Sequence, residues 1–231
     1  MKTIKLFNVM MLTVALSSIC SLTKAQEVEV SAGGDLVSSY LWRGIYCGGA
    51  SIQPTASVAL GGLSLTAWGS VGFEEFYTRE FDFNLTYGVG GFSVGITDLW
   101  FFTGSEKYFK YDARETAHVF EATLGYDFGA ASLSVNTVFS GNDYYKANGK
   151  RAYSTYIEAG VPFSLGGLDL KAELGLTPFE SIYSDKLNVV NLGLSVGKEI
   201  RVTDSFAIPA FTKVVFNPYE SQCYFIFGIT L

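Results

Sequence analysis

The amino-acid sequence predicts an all-β chain, an antiparallel up-and-down transmembrane β-barrel of about twelve strands. Three observations carry this prediction. Apolar residues alternate with small or polar ones at a period of two from about residue 28 to the end of the chain. Glycine-bearing two-residue turns alternate with longer polar or aromatic connections. The composition sets 16% charged residues beside 16% aromatics, with 25 glycines and 5 prolines in 231 residues. Successive strand side chains leave opposite faces, so period-two alternation is the signal of a strand with one oily face. Soluble domains average about 25% charge, and the aromatic content excludes a disordered chain, a collagen or a coiled coil. Beyond the N-terminus no apolar run approaches the roughly 18 residues of a spanning helix.

The first segment reads as an export signal. Lys2 and Lys5 precede an apolar stretch from Leu6 to Ile19, and Thr23-Lys24-Ala25 is a small-x-small cleavage pattern. The expected organisation is a signal peptide over 1–25 and one barrel domain over 26–231. A lipid on Cys20 is disfavoured because Ile19 stands where a small residue is required. The formal net charge is −6 and becomes more negative once Lys2, Lys5 and Lys24 are removed. Such a chain presents no basic face, so no nucleic-acid partner is expected.

Strands are then expected near 28–43, 51–60, 63–73, 79–89, 92–102, 116–128, 131–140, 151–165, 168–177, 187–197, 205–217 and 221–231. The clearest oily faces are Phe120, Ala122, Leu124, Tyr126 and Phe128; Leu168, Leu170, Ala172, Leu174 and Leu176; and Cys223, Phe225, Phe227, Ile229 and Leu231. Gly61-Gly62, Gly90-Gly91, Gly129-Ala130 and Gly166-Gly167 interrupt the alternation where hairpin turns require positive φ. Across them Leu60 meets Leu63, Val89 meets Phe92, Phe128 meets Ala131 and Leu165 meets Leu168, so the oily faces stay in phase. Longer connections fall near 44–50, 74–78, 104–115, 140–150 and 178–186. An even number of strands, short turns at one end and long loops at the other form the pattern of a Gram-negative outer-membrane barrel with both termini periplasmic. A secreted β-sandwich also alternates, but Tyr87, Phe92, Tyr126, Phe128 and Phe163 near strand ends match a membrane-interface girdle.

Tyr40-Leu41-Trp42-Arg43-Gly44, Gln53-Pro54, Ala67-Trp68-Gly69-Ser70, Glu80-Phe81-Asp82 and Tyr87-Gly88 together resemble the Gcw_chp family of bacterial proteins, also described as TorF-type porins. The resemblance covers about the first third of the mature chain, and Tyr-x-Trp-Arg-Gly is its most specific part. It implies an exported barrel and assigns no activity. Cys47-Gly48-Gly49 departs from the family's usual polar residues.

Several constellations are spelled like chemical sites. Gly91-Phe92-Ser93-Val94-Gly95 and Gly193-Leu194-Ser195-Val196-Gly197 spell a nucleophile elbow, but neither leads into a helix, as that elbow must. His118 is the single histidine and falls on the lipid-side face near the external strand end. It is the residue around which a lipid-modifying enzyme would be built, but no supporting serine is evident, so no enzyme is expected. No Cys-x-x-Cys or His-x-x-x-His pattern marks a metal or cofactor site. The loops carry Tyr108, Phe109, Tyr111, Tyr144 and Tyr145 beside Lys107, Lys110, Lys146, Lys150 and Arg151, residues able to stack on sugars and pair with phosphates of lipopolysaccharide. Glu106, Asp112, Asp143 and Glu115 dilute that charge, which leaves an ordinary interfacial loop or an adhesive, structural barrel as readings of these loops.

The face opposite the oily one carries Glu29, Asp35, Arg43, Glu74, Asp82, Glu121, Asp127, Glu158, Asp169, Lys171, Glu173 and Lys213. Such an acidic lumen would raise the local concentration of cations, with Glu121, Glu158 and Glu173 as a mid-strand selectivity ring. The expectation is a narrow porin-like channel for small solutes or cations, since twelve strands leave at most a slender bore. Cys47 and Cys223, the only cysteines left after signal cleavage, are candidates for a disulfide latching the first and last strands.

Overall fold

The computed structural model describes residues 27–74 and 79–231; the expected signal peptide and residues 75–78 of the second long connection lie outside the described residues. No described residue is helical. The strands are β1 (Val28–Val37), β2 (Tyr40–Trp42), β3 (Ile45–Gly48), β4 (Ser51–Leu60), β5 (Leu63–Gly72), β6 (Arg79–Val89), β7 (Phe92–Phe102), β8 (His118–Asp127), β9 (Ser132–Gly141), β10 (Thr155–Leu165), β11 (Leu168–Thr177), β12 (Asn188–Arg201), β13 (Ala207–Asn217) and β14 (Gln222–Thr230). Twelve of them close an antiparallel barrel in which each pairs with its neighbours along the chain and β1 meets β14; β2 and β3 form a separate two-stranded sheet.

The expected hairpins form in the expected register. Leu60 pairs with Leu63, Val89 with Phe92 and Leu165 with Leu168, and the Phe128 N–H donates to the Ala131 carbonyl at 2.8 Å. Gly90-Gly91 and Gly166-Gly167 both carry positive φ at their two central positions, the geometry that matches the twist of the flanking strands. A fifth short connection, 202–206, has no glycine to mark it; it closes when the Val202 N–H reaches the Phe206 carbonyl at 2.9 Å.

The outer face is a continuous apolar belt. Leu65, Leu85, Ile96, Leu124, Leu174, Leu194 and Phe225 are all exposed, an arrangement unfavourable in water and suited to hydrocarbon. The inner face is mostly small or polar, interrupted by two buried clusters. Leu99, Val119 and Val138 form one, and Tyr156, Tyr183 and Val190 the other; Trp42 packs against both. Glycines make room on the inner wall. A side chain on Gly175 would collide with the Tyr156 phenol, and one on Gly228 with the Phe211 ring.

The first strand differs from expectation. Alternation continues through Tyr40-Leu41-Trp42, which predicted one strand over 28–43, but β1 ends at Val37 and the chain turns inward as the β2–β3 hairpin. Alternation records two unlike faces and does not record whether a strand stays in the wall.

Candidate functional site

The site is the lumen at the long-loop end, which the β2–β3 hairpin crosses. Tyr40 opposes Gly48 and Trp42 opposes Ile45, leaving Arg43-Gly44 as a two-residue turn. Both turn residues are left-handed, with φ of 53° and 82°. Glycine is required at 44, because a Cβ there would strike the carbonyl oxygen of Val190. Arg43 adopts this conformation at a cost of about 1 kcal/mol, offset by the contacts of its side chain.

At the tip, Arg43 grips Glu121 of β8 with both ends of its guanidinium, Nη1 to Oε2 at 2.5 Å and Nη2 to Oε1 at 2.7 Å. Its Nη1 also donates to the Tyr183 hydroxyl at 2.8 Å. The guanidinium carbon lies 4.6 Å from the Trp42 ring centroid and 5.0 Å from that of Tyr156. Planar, bidentate and stacked, this is an arrangement lysine cannot reproduce. Burial pushes the Tyr183 hydroxyl above its ordinary value, partly opposed by the Arg43 charge. The Asn217 side-chain amide donates to the Gly44 carbonyl at 3.1 Å. A bulge receives the tip: Gly175 pairs with Asn191 and Leu176 with Val189, so Val190 is an extra residue and is fully buried beside Tyr156 and Tyr183.

The hairpin base rests on the opposite wall. Tyr40 packs on Trp68 of β5 at a centroid distance of 5.5 Å and hydrogen-bonds Glu80 of β6, whose carboxyl also contacts Asp82. Burial, then the nearby Glu80 charge, raises the Tyr40 hydroxyl above its ordinary value and pushes the Cys47 thiol up to about 12. Glu80 is an inward residue that the sequence reading passed over, although it shares a face with Asp82.

Below the hairpin the charges are paired. Glu173 accepts from Lys171 at 2.8 Å and also contacts Lys213. Glu158 accepts from the Tyr156 hydroxyl at 2.7 Å, and Lys171 lies 3.9 Å away. The expected ring of Glu121, Glu158 and Glu173 is thus faced by Arg43, Lys171 and Lys213. The expected acidic excess does not reside in this band, because cross-strand pairing matches each acid there with a cation. Glu80 and Asp82 lie above it, buried and hydrogen-bonded together, and a further set of acids lies at the short-turn rim. There Asp35 accepts from Thr230 at 2.6 Å, Asp127 caps the Gly129 N–H at 2.7 Å and Asp169 accepts from Ser164 at 3.3 Å. Glu29 is exposed on β1 and Glu74 is exposed at the loop end.

The two cysteines are free, so the disulfide does not form. Tyr46 stacks on the inward Tyr224 with centroids 6.0 Å apart, which turns the adjacent Cys47 toward Glu80 and leaves Cys223 on the outer face. His118 lies on the outer wall, as expected, and is fully buried among Trp100, Tyr108, Tyr111 and Phe120. Its Nδ1 faces Asp98 Oδ1 at 2.7 Å and its Nε2 the Tyr108 carbonyl at 2.5 Å. Both ring nitrogens are thus engaged by oxygens of the protein itself. The segment 91–95 forms a hairpin turn and the start of β7, and 193–197 lies within β12, so neither is an elbow. Among the loop aromatics, Tyr145 is held between Arg114 and Arg151, at 4.6 and 5.3 Å.

No family model and no curated protein matches the chain. The solved structure of a porin, refined at 1.8 Å resolution, is similar over 90% of this chain and 78% of its own, at 12% identity and a TM-score of 0.38.

Proposed function

We propose that the protein is an outer-membrane barrel serving as a narrow diffusion channel for small solutes or ions, constricted from the external side by its own first loop. The observation that carries this reading is the β2–β3 hairpin seated across a polar lumen. A barrel needed only as an anchor has no use for a lumen lined below the hairpin by glycine, serine, threonine and paired charges. The long-loop end is external, and the apolar belt sits in the bilayer. The resemblance of Tyr40–Gly44 to the Gcw_chp family fits this reading and gives that segment a purpose as the constriction. The acids at the short-turn rim favour cations over anions.

Planar-bilayer recording of the purified protein is the test. Small conductance steps are expected, larger in Arg43→Ala, with reversal potentials favouring K⁺ over Cl⁻ in a salt gradient. Converting Asp35, Asp127 and Asp169 to Asn should weaken that preference. Absence of conductance in both the wild type and Arg43→Ala would defeat the channel reading.

A further inference from the structure

The barrel wall is incomplete beside the hairpin it encloses. β14 pairs with β13 from Gln222 opposite Asn217 to Ile229 opposite Ala210. Its other edge meets β1 only near its end, where Asp35, Leu36 and Val37 oppose Thr230, Ile229 and Gly228. Gly34 and Leu231 exchange backbone hydrogen bonds below these pairs. Above them the Ser38 N–H donates to the Phe227 carbonyl at 2.8 Å, and the Ser38 Oγ accepts from the Phe227 N–H at 2.9 Å. There β1 stops. Residues 222–226 present a strand edge that no described strand pairs, and such an edge is a template for another strand.

The segment that leaves the wall at this point matches that edge. Continuing the same register outward sets Tyr40 opposite Phe225, Leu41 opposite Tyr224 and Trp42 opposite Cys223. Alternation would turn Tyr40 and Trp42 outward with Phe225 and Phe227, and Leu41 and Arg43 toward the lumen. Tyrosine and tryptophan are favoured at the level where a barrel strand meets the membrane–water interface, and both have good strand propensity. Unbroken alternation from residue 28 to 43 thus describes a second placement of the same residues. The hairpin fills the lumen and leaves an edge unpaired; the extended strand fills the edge and vacates the lumen.

Resting on the channel reading above, we propose that residues 39–43 exchange between these two placements and so gate the channel. In the closed state Arg43 is latched to Glu121 and Tyr183, and Tyr46 stacks on Tyr224. In the open state β1 runs on along β14, completing the wall, and water replaces Arg43 at Glu121. The mobile element and its docking edge belong to one chain, so the gate needs no partner.

Disulfide trapping in lipid vesicles tests this. With Cys47→Ser, Trp42→Cys leaves one cysteine at 42 and the native Cys223. In the closed state the first is in the lumen and the second faces outward, so they cannot bridge; in the open state they are directly opposite. Mild oxidation should form the link, read as a gel shift, and Glu121→Gln should speed it roughly tenfold, the change expected from losing a charge-assisted hydrogen bond. Because Trp42→Cys also loosens the hairpin, the pair Tyr40→Cys with Phe225→Cys, made in Cys47→Ser/Cys223→Ser, should behave alike with Trp42 intact. Recordings should show the 42–223 link holding the channel open and an Arg43→Cys/Glu121→Cys pair, bridged by a bis-methanethiosulfonate long enough to replace the two side chains in the same cysteine-free background, holding it shut, each reversed by reductant. No link in either edge pair, with or without Glu121→Gln, overturns the exchange. Links that form while conductance is unchanged overturn its role as a gate. Links that form with no conductance in any variant overturn the channel reading and leave the exchange standing.

Discussion

Breaking the Arg43–Glu121 latch is the most informative single perturbation. The two side chains are 14% and 5% exposed and meet through two hydrogen bonds of 2.5 and 2.7 Å. Exposed ion pairs contribute at most about 1 kcal/mol, whereas removing one partner of a buried pair costs about 3–5 kcal/mol because a charge is left buried alone. Arg43→Ala should approach the upper figure, since it also removes the stacking on Trp42 and Tyr156 and frees the Tyr183 hydroxyl. Glu121→Gln keeps an acceptor for Arg43 and should cost about 1–3 kcal/mol, the range for a charge-assisted hydrogen bond. The double variant should fall well short of the sum, with a coupling of at least about 1.5 kcal/mol, as found for close charge pairs. Reversible urea unfolding in lipid vesicles, followed by tryptophan fluorescence, reads these values through a double-mutant cycle. If the hairpin leaves its seat before the barrel unfolds, the cost is capped, and Arg43→Ala shows a red-shifted native spectrum as Trp42 meets water. A coupling below about 0.5 kcal/mol, in the range of an exposed pair, together with an unshifted spectrum would refute the seating of the hairpin.

Four other outcomes follow from the structure. Leu174→Arg, on the apolar belt, should destabilise the barrel in lipid by about 2–4 kcal/mol, and Leu165→Arg beside a short turn by about 0–1 kcal/mol; equal costs in the same unfolding assay would contradict the membrane placement. Gly175→Val should displace the Tyr156 ring from Glu158 and Asn191, to which it bonds at 2.7 and 3.0 Å, and so release the hairpin, seen as a fluorescence red shift like that of Arg43→Ala. Cys47 and Cys223 should both titrate as free thiols after denaturation, and in the folded barrel at pH 8 a lipid-soluble maleimide should label Cys223 well before Cys47, whose thiolate is suppressed by burial and Glu80. The exposed Glu106 carboxylate accepts the N–H groups of Thr103, Gly104 and Ser105 and the Thr103 hydroxyl, and those hydrogen bonds, led by Thr103, hold it down at about 2. A lowered carboxylate stabilises the loop above its unfolded value and ceases to as pH falls through the folded one, so amide protection at 103–105, taken relative to the intrinsic exchange rate at each pH, should hold at pH 6 and be lost toward pH 2.

The barrel was legible because its information is local. Leu60-Gly61-Gly62-Leu63 and Leu165-Gly166-Gly167-Leu168 carry turn conformation, register and facing within four residues each, and closure follows once every hairpin has one oily face and one polar face. Residues such as Leu174, Phe225 and Leu124 reveal their facing by parity alone, and His118 was placed on the outer wall in the same way. The 202–206 turn was missed as a turn because Val-Thr-Asp-Ser-Phe carries no positive-φ residue to announce it.

The site was less legible because its partners are distant in sequence. Arg43 meets Glu121 and Tyr183 only after the wall has closed and the hairpin has folded into it, and neither spacing nor alternation encodes that meeting. Period two places Glu121, Glu158 and Glu173 inward but is silent on which cation each will face, so an inward acid reads as free charge until Arg43, Lys171 and Lys213 arrive. Glu80 could have been read from its parity with Asp82, and Gly44 after Arg43 from its suitability for a two-residue turn. The sequence by itself determined the strands, their facing and the short-turn register, since each depends on neighbours a few residues apart. Only the tertiary structure decided where the segment after Val37 goes, because wall and lumen offer the same alternating residues two places to pack, and long-range contacts choose between them.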